Sequence, residues 1–211
     1  MPKKKQAELF MPQTAGKLIH WAGLYHLLFA RKPTKVHKRA VITAAPQPGE
    51  RVLDVGCGPG TIAIILAQKV SPGGEVVGID ASPEMIDVAQ RKAKRERSEA
   101  RFETAAIESL PFPAASFDLV TSTFMLHHLP DDAQDKGLAE VRRVLKPGGR
   151  VVIADFSSDS GSFVGHVLSL FGHGHGHSTL PSLEAKLRSV GFGNVEQHPT
   201  KRKGTMIVKA S

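Results

Sequence analysis

The sequence contains a single cysteine, Cys57, so no intrachain disulfide can brace the fold and a reducing compartment is its natural setting. Tryptophan and tyrosine also occur once each, as Trp21 and Tyr25. No apolar run approaches the roughly 18 residues that a membrane span requires, and no secretory signal precedes the first helical pattern. There is no internal repeat. What remains is 211 residues with 41% hydrophobic and 23% charged. That suits one ordinary soluble domain, able to bury about 70% of its unfolded surface.

Lys and Arg number 28 against 20 Asp and Glu, a net charge of +8. Such an excess suggests nucleic acid or an anionic membrane as partner, but its position changes its meaning. Residues 1–39 hold nine basic side chains and one acid, Glu8, which accounts for the whole net charge; residues 40–211 are balanced. The expected organisation is a basic, apolar helical cap (1–39) followed by a neutral domain (40–211). Within the cap, residues 18–29 read LIHWAGLYHLLF, flanked by Lys17, Arg31, Lys32 and Lys35. The stretch is too short to span a bilayer. Two readings stay open: a helix packed as a lid, or an interfacial helix that makes peripheral membrane contact through residues 17–39. Its apolar content argues against a nucleic-acid arm. The expected location is cytoplasmic or peripheral to a membrane.

From about residue 50 the pattern alternates strand and helix. Residues 51–56 (RVLDVG) form a short apolar run typical of a parallel strand buried on both faces. A helix is expected over 61–70, a strand over 75–80, and a helix from Ser82, as N-cap before Pro83, to about Arg97. Strands follow at 101–104 and 117–123. Asp131 or Asp132 caps a helix ending near Leu145, and Lys146-Pro147-Gly148-Gly149 turns into a strand at 150–156. A last helix (181–190) and two strands (194–198 and 205–209), joined through KRKG as an antiparallel pair, close the chain. This alternation means an α/β fold with a mainly parallel sheet and ligands at the carboxyl ends of its strands.

The turn 54–60 (DVGCGPG) joins the first strand to a helix. A dinucleotide fingerprint starting at Gly56 would need glycine at position 61, which is Thr61; the spacing is G-x-G-x-G. Asp54, two residues ahead of Gly56, would repel a diphosphate but suits an ammonium or sulfonium. Asp80 ends the second strand, where an acid can accept hydrogen bonds from ribose hydroxyls. An adenosine with a cationic tail describes S-adenosylmethionine.

Residues 49–156 resemble the class I S-adenosylmethionine-dependent methyltransferases, in particular the type 11 group, similar to ubiquinone/menaquinone C-methyltransferases. The motifs VLDVGCGPG, VVGIDASPEMI, ESLPFPAASFDLV, LHHL and AEVRRVLKPGGRVVIADF occur in order. The resemblance implies a Rossmann-like, doubly wound, mainly parallel seven-stranded sheet with an antiparallel C-terminal hairpin and an N-terminal helical cap. It also implies that Asp54, Gly56, Gly58 and Gly60 cradle the methionine end. Asp80 would take the ribose, Ala81 and Met85 would lie against the adenine, and Thr123 near the methionine moiety. Where the family often carries a polar side chain for the adenine amino group, this chain has Ala105-Ala106-Ile107. Backbone groups of Ala106 and Ile107 remain to contact the adenine, and the missing bond is worth about 0.5–1.5 kcal/mol.

Methyl transfer from a sulfonium is an in-line displacement, served by alignment and by a base where the acceptor loses a proton. His128, His127 and Asp155 are the candidate catalytic residues, with His128 slightly favoured; the alternative is that LHHL is structural. Asp118 lies at the wrong end of its strand. Residues 172–177 (GHGHGH) stay a solvated loop, a base or a metal-binding stretch, and no metal is assigned. With one cysteine, thiolate-dependent cytosine methylation and multi-cysteine arsenic methylation are disfavoured, and the N/D-P-P-Y/F signature is absent. The expected acceptor is therefore a small, hydrophobic molecule (quinone-, lipid- or natural-product-like). The alternatives are an RNA or protein methyltransferase, or a catalytically silent cofactor-binding subunit.

Overall fold

The structure, a computed structural model, describes residues 33–157, 180–200 and 202–211. The Trp21 and Tyr25 segment and the histidine-glycine run 172–177 lie outside the described residues. Among those described, no helix is long and apolar enough to cross a membrane.

Short runs of Val, Leu and Ile build the centre of the sheet. β1 (Arg51–Val55), β2 (Glu75–Asp80), β3 (Arg101–Thr104), β4 (Phe117–Thr123) and β5 (Leu145–Phe156) are parallel, and β6 (Val195–His198) and β7 (Thr205–Ala210) add an antiparallel pair. The seven strands lie in the order β3-β2-β1-β4-β5-β7-β6. Continuous apolar strands need cover on both faces, and helices supply it. α1 (Lys35–Ala44), α2 (Thr61–Val70) and α3 (Pro83–Glu96) bury Val36, Ala40, Ile62, Leu66, Ile86 and Ala89 against one face. α4 (Asp131–Val144) and α5 (Leu180–Ser189) bury Leu138, Val141, Leu183 and Leu187 against the other. The doubly wound, mainly parallel sheet with its antiparallel C-terminal pair is therefore the observed architecture.

The sequence reading did not anticipate α1, which crosses the 39/40 boundary drawn from charge. Its apolar residues are spaced among cations, so the stretch reads as basic rather than amphipathic. A capping box starts it: His37 N donates to Thr34 Oγ1 at 3.3 Å, and Thr34 N donates to His37 Nδ1 at 3.1 Å. The helix then buries Val36, Ala40, Val41 and Ala44.

Two further details differ from expectation. α4 has Pro130 as N-cap: its carbonyl accepts from Ala133 N and Gln134 N at 3.1 and 3.0 Å. Asp131 and Asp132 therefore sit inside the first turn, where their charge favours the helix dipole without capping it. Residues 146–149 are not a turn preceding the strand. Leu145 already pairs with Phe117, the register shifts, and pairing resumes at Leu119 with Arg150. Ser82, by contrast, caps α3 as read, accepting from Met85 N at 3.3 Å.

At the amino ends of the strands, charge pairs fasten the sheet. Asp118 accepts from Arg51 N at 2.9 Å and from Lys146 Nζ at 2.8 Å. Arg150 bridges Glu50 and the carbonyls of Ala44 and Ala45. Asp118 is thus remote from the opposite edge, where ligands bind in such sheets.

Candidate functional site

β1 and β4 are neighbours, and the helices that follow them cover opposite faces, which opens a crevice at their carboxyl ends. The turn after β1 lines it. Gly56, Gly58 and Gly60 adopt φ of 66°, 51° and 74°, which side chains rarely tolerate. Nothing lies within 4 Å of where a Cβ on Gly58 would be, so its backbone is open to a ligand. Gly60 differs: a Cβ there would sit 2.7 Å from Phe102 and 3.0 Å from Ala89, so its lack of one lets α3 and β3 pack close. Met125 lies over Gly56 in the same way.

Two acids flank this turn. Asp80, at the end of β2, accepts from Gly58 N and Ser82 N, both at 2.9 Å, and so ties the turn to the start of α3. Burial raises its carboxyl, and the two N–H groups oppose that rise. Asp54 is 2% exposed and accepts from Thr121 Oγ1 at 2.7 Å. Burial pushes its carboxyl up to about 7, with Asp80 adding to the rise and bonds from Thr121 and the Ala63 N–H opposing it. The Cys57 thiol between them is pushed well above its usual range by burial and by both acids, so it is no nucleophile at neutral pH.

The other expected contacts fall around the same crevice. Ala81 follows β2 and is half-buried, whereas Met85 is fully buried in the first turn of α3. Ala105 N donates to the Asp80 carbonyl at 3.1 Å, which carries Ala106 and Ile107 past the end of β2. Ile107 packs against Gly137 of α4, so its side chain serves the core. At the end of β4, Thr123 Oγ1 and Ser122 Oγ are buried without a hydrogen-bond partner among the described residues. Buried hydroxyls of this kind mark a place where a ligand or water completes the bonding.

Beyond β4 the chain turns sharply at Phe124, a non-glycine residue at φ 54°, and forms a 3₁₀ turn over Leu126–His128. That turn brings His127 to Asp155 at the end of β5, with Nδ1 2.6 Å from Oδ1. Asp155 is 1% exposed and also accepts from Phe156 N at 2.7 Å and from His127 N at 3.3 Å. The His128 ring lies 3.9 Å from that of His127. Asp155 thus pairs with His127, whereas the sequence reading slightly favours His128 as the base. Rings continue from His127 to Phe156 (4.9 Å), Phe124 (4.9 Å) and His37 (5.6 Å), an aromatic ledge along the ends of β4 and β5.

His37, Lys92 and Thr61 were missed. Lys92 is 5% exposed and its Nζ donates to Thr61 Oγ1 at 2.7 Å. His37 is held down to about 4 by burial and by the Lys92 charge. The only sequence signal was the Thr34–His37 spacing of a capping box; the buried lysine lay in a mixed-charge stretch that reads as a solvated face.

An adenosine with a cationic amino-acid tail fits these residues. The acid at the end of β2, the open Gly58 backbone, the buried Asp54 and the unpartnered Thr123 hydroxyl supply the polar groups it needs. Comparison with known proteins agrees. Residues 52–149 match a protein family described as a methyltransferase domain. The demethylmenaquinone methyltransferase of Thermus thermophilus is 42% identical over 119 residues, 56% of this chain and 53% of that protein. A ubiquinone/menaquinone biosynthesis C-methyltransferase of Geotalea daltonii is 31% identical over 175 residues, 72% of this chain and 74% of that protein. A crystal structure of a SAM dependent methyltransferase from Aquifex aeolicus shares the fold, with TM-score 0.71 and 21% identity over 92% of this chain and 98% of that one. Several curated relatives are longer than the match, which spans 32% to 54% of their length. Glycine turn, acid-tipped second strand and these relatives together place the chain in the class I S-adenosylmethionine-dependent methyltransferases.

Proposed function

We propose that this protein transfers a methyl group from S-adenosylmethionine to a small, hydrophobic acceptor of quinone-, lipid- or natural-product-like character. The observation that carries the reading is the His127–Asp155 pair, 2.6 Å apart at the carboxyl ends of β4 and β5 and adjoined by Phe156 and Phe124. When bound, the cofactor supplies a methyl carbon activated by a sulfonium. The chain's own residues supply alignment, a dry site and a base.

In this reading Asp54, Gly56, Gly58 and Gly60 hold the methionine end and Asp80 accepts the ribose hydroxyls. Ala81, Met85 and the backbone of Ala106 and Ile107 border the adenine, and Thr123 faces the methionine moiety. Asp155, fixed by two backbone N–H groups, holds the His127 ring through Nδ1. His127 Nε2 is then left to take a proton from the acceptor as its oxygen or carbon attacks. The Phe124 and Phe156 rings give a neutral acceptor an apolar, flat surface and keep water from the nucleophile.

The test is incubation with S-adenosylmethionine labelled in its methyl group and three acceptor sets: reduced quinones and phenols, bulk RNA, and a protein extract. Label should enter the small aromatic acceptors, and Asp155→Asn should slow its entry by about 100-fold or more. Label found only in RNA or protein would overturn the acceptor class. Calorimetric titration of wild type against Asp80→Ala tests the cofactor contacts separately: wild type should bind, and the variant should lose affinity.

A further inference from the structure

Two stretches beyond the first 32 residues carry cations and no acid. Residues 33–49 hold Lys35, Lys38 and Arg39, and residues 199–205 hold Lys201, Arg202 and Lys203. Lys35, Lys38, Arg39, Arg202 and Lys203 are exposed, and none forms an ion pair among the described residues. Cations on and around α4 and α5 behave differently: Lys136, Arg143, Lys146, Lys186 and Arg188 each meet an acid.

The fold brings both stretches to the crevice. His37, in the first turn of α1, lies 5.6 Å ring to ring from Phe124 at the end of β4. At the other end of α1 the Ala44 carbonyl accepts from Arg150 Nε at 2.8 Å, at the amino end of the sheet. α1 therefore runs from the carboxyl ends of the strands towards their amino ends, packed on β4, β5 and β7, with Lys35 and Lys38 at the crevice end. The turn between β6 and β7 stands at the same edge. Thr205 pairs with Phe156, and Ser157 N donates to the Gly204 carbonyl at 3.0 Å. The Thr200 and Thr205 hydroxyls lie 2.9 and 2.7 Å from the Arg202 carbonyl and fix the shape of the turn. The aromatic ledge thus has cations at both ends, from the turn beside Phe156 and from α1 beside Phe124.

Lys35, Lys38, Arg39 and Ile42 fall at i, i+3, i+4 and i+7, which makes one stripe on the outer face of α1. Ile42 is 64% exposed, the one large apolar side chain so exposed among the described residues. Cations with an apolar residue among them suit an anionic bilayer, where charges meet headgroups and the apolar group enters the lipid. RNA would engage the cations and give Ile42 no role.

We propose that the outer face of α1 and the β6–β7 turn dock this protein on an anionic lipid surface, with the edge of the crevice at the membrane. A hydrophobic acceptor dissolved in the bilayer then reaches the ledge without crossing water. This delivery step rests on the hydrophobic-acceptor reading; the docking does not, so the two fail separately.

The experiment is sedimentation of the full chain with vesicles of phosphatidylcholine, or of an equal mixture of phosphatidylcholine and phosphatidylglycerol. The protein should bind the mixed vesicles and not the neutral ones, and added salt should weaken binding. The pairs Lys35→Glu with Lys38→Glu, and Arg202→Glu with Lys203→Glu, should each weaken it by about tenfold or more. Ile42→Asp should weaken it severalfold. All five positions are exposed, so the variants should melt as wild type does and methylate a water-soluble acceptor at an unchanged rate. Equal binding to both vesicles would overturn the docking surface. So would variants that bind as wild type does while neutralising the cations of residues 1–32 removes binding. Tighter binding to RNA than to mixed vesicles, unaffected by Ile42→Asp, would assign the surface to nucleic acid instead. Vesicle binding as expected, with no methyl transfer to any small acceptor, would overturn the acceptor reading and leave the docking surface standing.

Discussion

Thr121 Oγ1 donates to Asp54 Oδ1 at 2.7 Å between the neighbouring strands β4 and β1. That bond and the Ala63 N–H are too little to offset burial, and the carboxyl rises from 3.8 to about 7. The folded protein therefore holds a proton that the unfolded chain releases between about pH 4 and 7. The stability this provides is complete below about pH 4 and is lost as pH rises through about 7. Thermal melts of wild type should show this fall, and Asp54→Asn, which keeps a partner for Thr121, should flatten it. Cofactor affinity should run the opposite way, because a cationic tail favours the ionised acid. It should rise with pH by up to about tenfold per unit below about pH 7. An identical pH dependence in Asp54→Asn would refute the assignment.

Asp155 orients His127, so its removal should harm turnover more than binding. Asp155→Asn should lower kcat by about 100-fold or more and leave cofactor affinity within about threefold. His128→Ala should cost much less, since His127 holds the acid. Steady-state kinetics with calorimetry on each variant separates the two; a larger loss from His128→Ala would reverse the roles.

Gly58 and Gly60 share a turn and positive φ but differ in surroundings. Gly60→Ala drives a methyl into Phe102 and Ala89 and should destabilise by about 2–4 kcal/mol in urea melts. Gly58→Ala meets no neighbour and should cost only about 1 kcal/mol, from backbone strain. Its larger effect should be on cofactor binding, where the open backbone is lost. Equal destabilisation by both would contradict this division.

Phe124 pays for its place at the end of β4 with a left-handed backbone. Phe124→Gly should relieve about 1 kcal/mol of strain but remove the ring between His37 and Phe156. The lost packing of the ring outweighs that relief, so stability should fall, while KM for an aromatic acceptor should rise severalfold and cofactor affinity hold. An unchanged KM would remove Phe124 from the acceptor surface.

Much of this molecule is legible in its residues because the cues are local. The apolar runs at β1 and β2, the Ser82-Pro83 start of α3 and the glycine spacing after Asp54 each depend on near neighbours in the chain. α1 was hidden because its buried positions lie among lysines and arginines, and only packing on β4 and β5 distinguishes them from a solvated face. Pro130 displaced Asp131 as cap because a carbonyl can serve two N–H groups where a side chain was expected.

By itself the sequence determined the alternation of strands and helices, the acids at the ends of β1 and β2, and the glycine turn between β1 and α2. These follow from periodicity and from what each residue's backbone can adopt. Tertiary structure alone decided that His127 meets Asp155 across 28 residues, that Gly60 serves packing while Gly58 stays open, and that Lys92 is buried against Thr61. Such pairings depend on which strand lies beside which and on how helices seat over them, and no local pattern encodes either.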